Sequence, residues 1–141
     1  HAVGEVSEEA KKLIQVTKES FFEGIKFAKA GNHLFDISGA IGRYAEERGY
    51  GVVRDLCGHG IGTALHEAPE IPNYEVGRKG VRLRPGMTLA IEPMINIGTH
   101  EVDWLDDDWT VVTRDGSLSA QNTILITEGE PRILSLTCEN E

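Results

Sequence analysis

With 141 residues, 40% of them hydrophobic and 26% charged, the chain is sized for one packed core, and its average composition excludes a disordered tail, a collagenous repeat or a coiled coil. Lysine and arginine number 14 against 23 acids, and the resulting net charge of −9 repels phosphate backbones and anionic surfaces, so neither nucleic acid nor membrane is an expected partner. No apolar run approaches the roughly 18 residues of a bilayer span, His1–Lys12 shows no signal-peptide core, and two cysteines, Cys57 and Cys138, read as free thiols, which makes the cytoplasm the expected location.

From Ser7 to Ala30 the apolar residues Ala10, Leu13, Ile14, Phe21, Ile25 and Ala28 recur at helical spacing. Ser7 is the expected N-cap, Glu8 and Glu9 complement the helix dipole, and Gly31 is the expected stop. A second helix is predicted with Asp36 as cap, Ile37, Ala40, Ile41, Tyr44 and Ala45 as its apolar face, and Gly49 at its end. Val52 and Val53 begin a short extended piece. Cys57–Asn73 is rich in Gly, Pro and His, follows neither period, and reads as a loop. Met87–Ile97 alternates apolar and other residues and predicts one long strand, bulged near Pro93. Further strands are expected at Trp109–Thr113, Ser119–Thr127 and Arg132–Leu136, with turns at Arg114-Asp115-Gly116 and Glu128-Gly129-Glu130-Pro131. The fold class is therefore α+β, two helices packed on an antiparallel sheet, and without repeat or linker residues 1–141 read as a single domain.

Chemistry concentrates in Cys57-Gly58-His59-Gly60-Ile61-Gly62-Thr63-Ala64-Leu65-His66-Glu67. Glycine on both sides of His59 removes bulk around the imidazole, and His66 follows seven residues on, so a metal or hydrolytic site is one reading. The other is a pair of loop histidines bonded to backbone. Glu92 sits within Thr88-Leu89-Ala90-Ile91-Glu92-Pro93-Met94, where a carboxylate is costly unless paired or bound to a cation. Alternatively its face is the wet one, shared with Thr88 and Asn96. Asp103, Asp106, Asp107 and Asp108 crowd a short run that lacks the alternation of a calcium loop, which favours a solvated acidic hairpin. Trp109, next to a strand, reads first as a core residue, while His1, His33 and His100 suggest no partner.

Together Cys57-Gly58-His59-Gly60-Ile61-Gly62, His66-Glu67, Arg84-Pro85-Gly86-Met87-Thr88, Ile91-Glu92-Pro93-Met94, Asp108-Trp109-Thr110 and Ser117-Leu118-Ser119-Ala120-Gln121 closely resemble the C-terminal part of the type I methionine aminopeptidases. The resemblance runs from Val3 over nearly the whole chain and implies one half of the pita-bread fold. It implies two divalent metal ions (cobalt, manganese, iron or zinc), with His59 and Glu92 as metal ligands and His66 as a catalytic histidine that contacts the scissile peptide. It also implies that Cys57, Leu65 and Trp109 bind the methionine side chain of N-terminal methionyl peptides. The family's two aspartates and a further histidine belong to a half that ends just before the position of Val3, and its last glutamate, expected in an aromatic-Glu-His-Thr sequence after Gln121, is replaced as Asn122 runs straight to Thr123. Two functions follow: a metallo-aminopeptidase that removes N-terminal methionine with ligands supplied from elsewhere, or a catalytically inactive half-enzyme fold module, natural or engineered. One half of a two-half fold would also leave an apolar face for a homodimer partner or a complementing N-terminal half to cover.

Overall fold

The computed structural model describes residues 2–121, 124–125, 131 and 133. Helix α1 spans Glu8–Ile25, with the Ser7 hydroxyl accepting from the Ala10 amide at 3.2 Å and Glu8 and Glu9 in its first turn. It stops five residues short of the expected end because the chain tightens into three-residue turns, Phe27 N–H to the Gly24 carbonyl and Ala28 N–H to that of Ile25. Ala28 still reaches the core, which is why its spacing looked helical.

Helix α2 spans Leu34–Glu46. Its N-cap is His33 rather than Asp36, and Asp36 instead occupies the third helical position, its carboxylate accepting the His33 N–H at 2.8 Å. A carboxylate three residues into a helix and one at its cap leave the same local pattern, so composition alone misplaced the boundary. The two helices pack closely at Gly24, where a β-carbon would stand 2.6 Å from Ile41. Around that contact Phe21, Ile25, Leu34, Ile37 and Ile41 join Ile71, Leu83, Leu89 and Ile91 in one buried cluster, against which Ile133 packs, while Leu13, Ala45, Val52 and Ile95 form a second.

Among the described residues nine short strands follow, all paired antiparallel: β1 Gly51–Val52, β2 Gly58–Gly60, β3 Glu67–Ile71, β4 Leu89–Ile91, β5 Met94–Asn96, β6 Val102–Trp104, β7 Val111–Thr113, β8 Ser119–Gln121 and β9 Ile124–Leu125. They make a four-stranded sheet in the order β3-β2-β4-β9, a three-stranded sheet β1-β5-β8 and a separate hairpin β6-β7. Helix α1 lies on β5 and β8 and α2 on β1 and β3, giving the expected α+β class.

Three expectations about strands change. The single strand predicted over Met87–Ile97 is two, β4 in one sheet and β5 in the other, because the chain switches sheets at Glu92-Pro93, where proline cannot donate to a ladder. The parity argument for a wet face fails with it, since Asn96 is fully buried. The loop predicted over Cys57–Asn73 contains the hairpin β2-β3, hidden by glycine and proline, whose propensities speak against strands. The run expected at Ser119–Thr127 is likewise divided between the two sheets as β8 and β9. Asn122, Cys138 and, apart from Ile133, the strand expected at Arg132–Leu136 lie outside the described residues.

The glycines of β2 are a steric requirement. A β-carbon on Gly58 would stand 2.2 Å from the Ala90 carbonyl oxygen, and one on Gly60 the same distance from that of Ala68. Gly58→Ala therefore has to push β4 off β2, and we expect it to cost about 1–3 kcal/mol in urea unfolding. An unchanged midpoint would contradict this close packing.

Candidate metal centre

Strand β2 is flanked on both sides: His59 stands opposite Glu70 of β3 and opposite Ala90 of β4. Directly opposed residues of an antiparallel pair share a face, and so do residues two apart on one strand, so the register sends Glu92, two beyond Ala90, toward the face of His59. The outcome is a separation of 3.9 Å between His59 Nε2 and a Glu92 carboxylate oxygen, with only 14% and 19% of the two side chains exposed.

The remaining imidazole nitrogen, Nδ1, lies 2.9 Å from the Gly60 carbonyl oxygen. In the tautomer that donates this bond, the Nε2 lone pair is left facing Glu92. A distance of 3.9 Å is too long for a hydrogen bond, but two donors that each bind one cation at roughly 2.0–2.2 Å can be up to about 4.2 Å apart. The gap is therefore within reach of one shared divalent cation, at a donor–metal–donor angle wider than the tetrahedral one. Among the described residues no third His, Cys, Asp or Glu joins them to make a set of three.

His66 comes to the same place by a different route. The chain leaving β2 turns through Ile61–Leu65, and the His66 ring settles 4.2 Å from the His59 ring, tilted by 55°. Glu67 fastens this turn: its carboxylate accepts from the Ala64 amide at 2.7 Å and from the Thr63 hydroxyl at 2.9 Å, and these two bonds hold its pKa below the usual glutamate value. Thr88, whose hydroxyl donates to the Ile61 carbonyl, pins the start of the turn to the entry of β4.

Of the other residues singled out in the sequence, Cys57 is half-buried just before β2, and burial, then the carboxylates of Glu70 and Glu92, push its thiol pKa up. Leu65 is exposed beside His66. Trp109 is not a core residue: it is 85% exposed on the turn joining β6 to β7. Asp107 shapes that turn by accepting the Trp109 and Thr110 amides, and Asp108 adopts a left-handed φ of 55°. The acidic run is thus a hairpin, in which Arg114 pairs with Asp103 and Glu101. Sequence reading missed Asn73, which is fully buried and donates from its side-chain amide to the Glu92 carbonyl at 3.0 Å. In the sequence it is only the last residue of the Gly-, Pro- and His-rich run Cys57–Asn73.

A histidine and a glutamate presented on one face of paired strands, too far apart to bond and close enough to share a cation, are the donor types of a metallohydrolase. The chain belongs to metallopeptidase family M24, whose model matches residues 1–128. It is 57% identical to the methionine aminopeptidase of Clostridium acetobutylicum over 140 residues, 98% of this chain and 56% of that protein. The crystal structure of methionine aminopeptidase from Rickettsia prowazekii matches with a TM-score of 0.91 at 44% identity, covering 96% of this chain and 56% of that one. The methionine aminopeptidase of Thermotoga maritima gives 0.87 at 48%, covering 96% and 55%. The chain spans about half the length of the curated relatives it matches. Membership of a metallopeptidase family implies divalent metal. No helix among the described residues is long and apolar enough to cross a membrane.

The Glu67 bonds make the turn that carries His66 pH-sensitive in a defined direction. A carboxylate whose folded pKa is lowered contributes fully above its ordinary value and loses the contribution as pH falls through the lowered one. We expect the Ala64 amide to lose exchange protection on acidification below about pH 4 and, in Glu67→Ala, at every pH. Protection that ignores both changes would contradict the assignment.

Proposed function

We propose that the chain carries one side of the metal centre of a methionine aminopeptidase, which removes N-terminal methionine from nascent polypeptides in the cytoplasm. The observation that carries this reading is the 3.9 Å His59–Glu92 pair with the His66 ring against it, in a chain of family M24 whose relatives named above are methionine aminopeptidases. His59 Nε2 and Glu92 would hold cobalt, manganese, iron or zinc. When bound, such metals supply a water of lowered pKa and a positive charge beside the scissile carbonyl.

The chain's own residues then have separate tasks. The Gly60 carbonyl, 2.9 Å from His59 Nδ1, would take up that ring nitrogen and leave Nε2 as the one facing Glu92. His66, exposed and with its ring against that of His59, would donate a hydrogen bond to the scissile peptide as charge develops on it. Cys57, its thiol kept protonated by burial, would form with Leu65 and Trp109 an apolar wall for the methionine side chain.

One observation favours a second reading, a catalytically inactive half-enzyme fold module: the described residues present two metal donors and no set of three. Two donors cannot enclose a pair of cations that each take about four to six ligands. A complementing N-terminal half, or a second copy of this chain, would supply the rest.

Manganese and a Met-Ala-Ser peptide test the proposal on the chain itself. We expect manganese to broaden the His59 and Glu92 resonances selectively and no methionine to be released. Release that disappears in His59→Ala would show a centre already complete. Failure of manganese to perturb either residue would overturn the metal reading.

A further inference from the structure

We propose that Asn73 is the positioning residue for Glu92, setting the distance and direction in which that carboxylate faces His59; the inference rests on the metal reading for its purpose but not for its geometry.

Glu92 falls between two ladders. It follows the last residue of β4, in the four-stranded sheet, and precedes Pro93 and the first residue of β5, in the three-stranded sheet. A chain that changes sheets leaves the backbone of the junction without ladder partners, and Pro93 has no N–H to offer. The Asn73 side-chain amide fills this gap by donating to the Glu92 carbonyl at 3.0 Å.

The anchor on the other side is firm. Asn73 lies two residues beyond β3, whose Glu70 stands opposite His59, so one side chain links the strand beside the imidazole to the bend that carries the carboxylate. Its backbone is pressed against α2 at Gly42, where a β-carbon would stand 2.8 Å from Tyr74 Cα and 3.1 Å from the Asn73 carbonyl oxygen. Asn73 is fully buried and has little room to move.

The remaining polar atom of the side chain separates positioning from plain structural support. Asn73 Oδ1 is buried and has no hydrogen-bond partner among the described residues. A buried acceptor without a donor is a cost to folding that a similarly shaped apolar residue would remove. Folding stability alone therefore gives little reason for asparagine here. The bond from its amide to the Glu92 carbonyl does, because an angular error at Cα is magnified at the end of a glutamate side chain.

Asn73→Leu, close in shape, removes the donor and the orphaned acceptor together. Asn73→Asp keeps the size and replaces the donor with an acceptor. In both variants we expect Glu92 side-chain couplings that average and a lost nuclear Overhauser contact to His59, with a smaller drop in thermal midpoint for Asn73→Leu, which loses the donor to the Glu92 carbonyl but also the orphaned acceptor, than for Asn73→Asp. Manganese affinity should fall about tenfold or more. A Glu92 that stays fixed in both variants overturns the proposal, as does loosening that only tracks a falling midpoint, or failure of both variants to fold. If Glu92 loosens as predicted while the unsubstituted chain takes up no manganese, the positioning role stands and the metal reading is what fails.

Discussion

The approach of β4 to β2 is the contact on which the site depends. Strand β4 reaches this distance because Gly58 presents no side chain to the Ala90 carbonyl, as β3 does on the other side because Gly60 presents none to that of Ala68. With the backbones that close, the register His59 opposite Ala90 is fixed, and a carboxylate two residues along β4's direction arrives beside the imidazole. A one-residue slip would send Glu92 to the opposite face. The hydrophobic cluster enforces the register from behind, because Leu89 and Ile91 of β4 are buried with Ile71 of β3 against the helices.

This arrangement makes sense of an otherwise unfavourable choice of residues. Glu92 and His59 are mostly covered, yet they stand too far apart to satisfy each other by a hydrogen bond. Their common environment instead includes devices that hold them in place: the Gly60 carbonyl for the imidazole, Asn73 for the Glu92 backbone, and the turn closed by Glu67 for the neighbouring His66. Holding two donors at a cation-sized gap is useful to a metallopeptidase and serves no evident purpose in a packing core. The Glu92-Pro93 break belongs to the same design, since it releases Glu92 from both ladders and lets a side chain from β3's exit take its carbonyl.

Helices and the apolar core were legible in the sequence because burial on one helix face leaves a period that Leu13, Phe21, Ile25, Ile37 and Ile41 keep. The boundary at His33 was not, because a capping-box Asp36 looks like a cap. Of the site, His59 and Glu92 could be found from residue type: glycines around an imidazole, and a carboxylate amid apolar residues. The β2-β3 hairpin could not, since the glycines that permit close strand pairing are the residues that argue against a strand in isolation. Asn73 left no local signal at all, because its role is a contact with a residue 19 positions away. Trp109 was misjudged as core because aromatic residues beside strands usually are, and the left-handed turn at Asp108 that carries it outward is visible only in three dimensions.

The central claim is that His59 and Glu92 bind one cation between them, and a double-mutant cycle on manganese affinity tests it most directly. Calorimetric titrations of the chain, His59→Ala, Glu92→Ala and the double variant would be compared under one buffer and salt condition. If the two donors share an ion, either substitution alone removes nearly as much affinity as both together. Losses that simply add, or a single variant that binds manganese as well as the unsubstituted chain, would contradict the account.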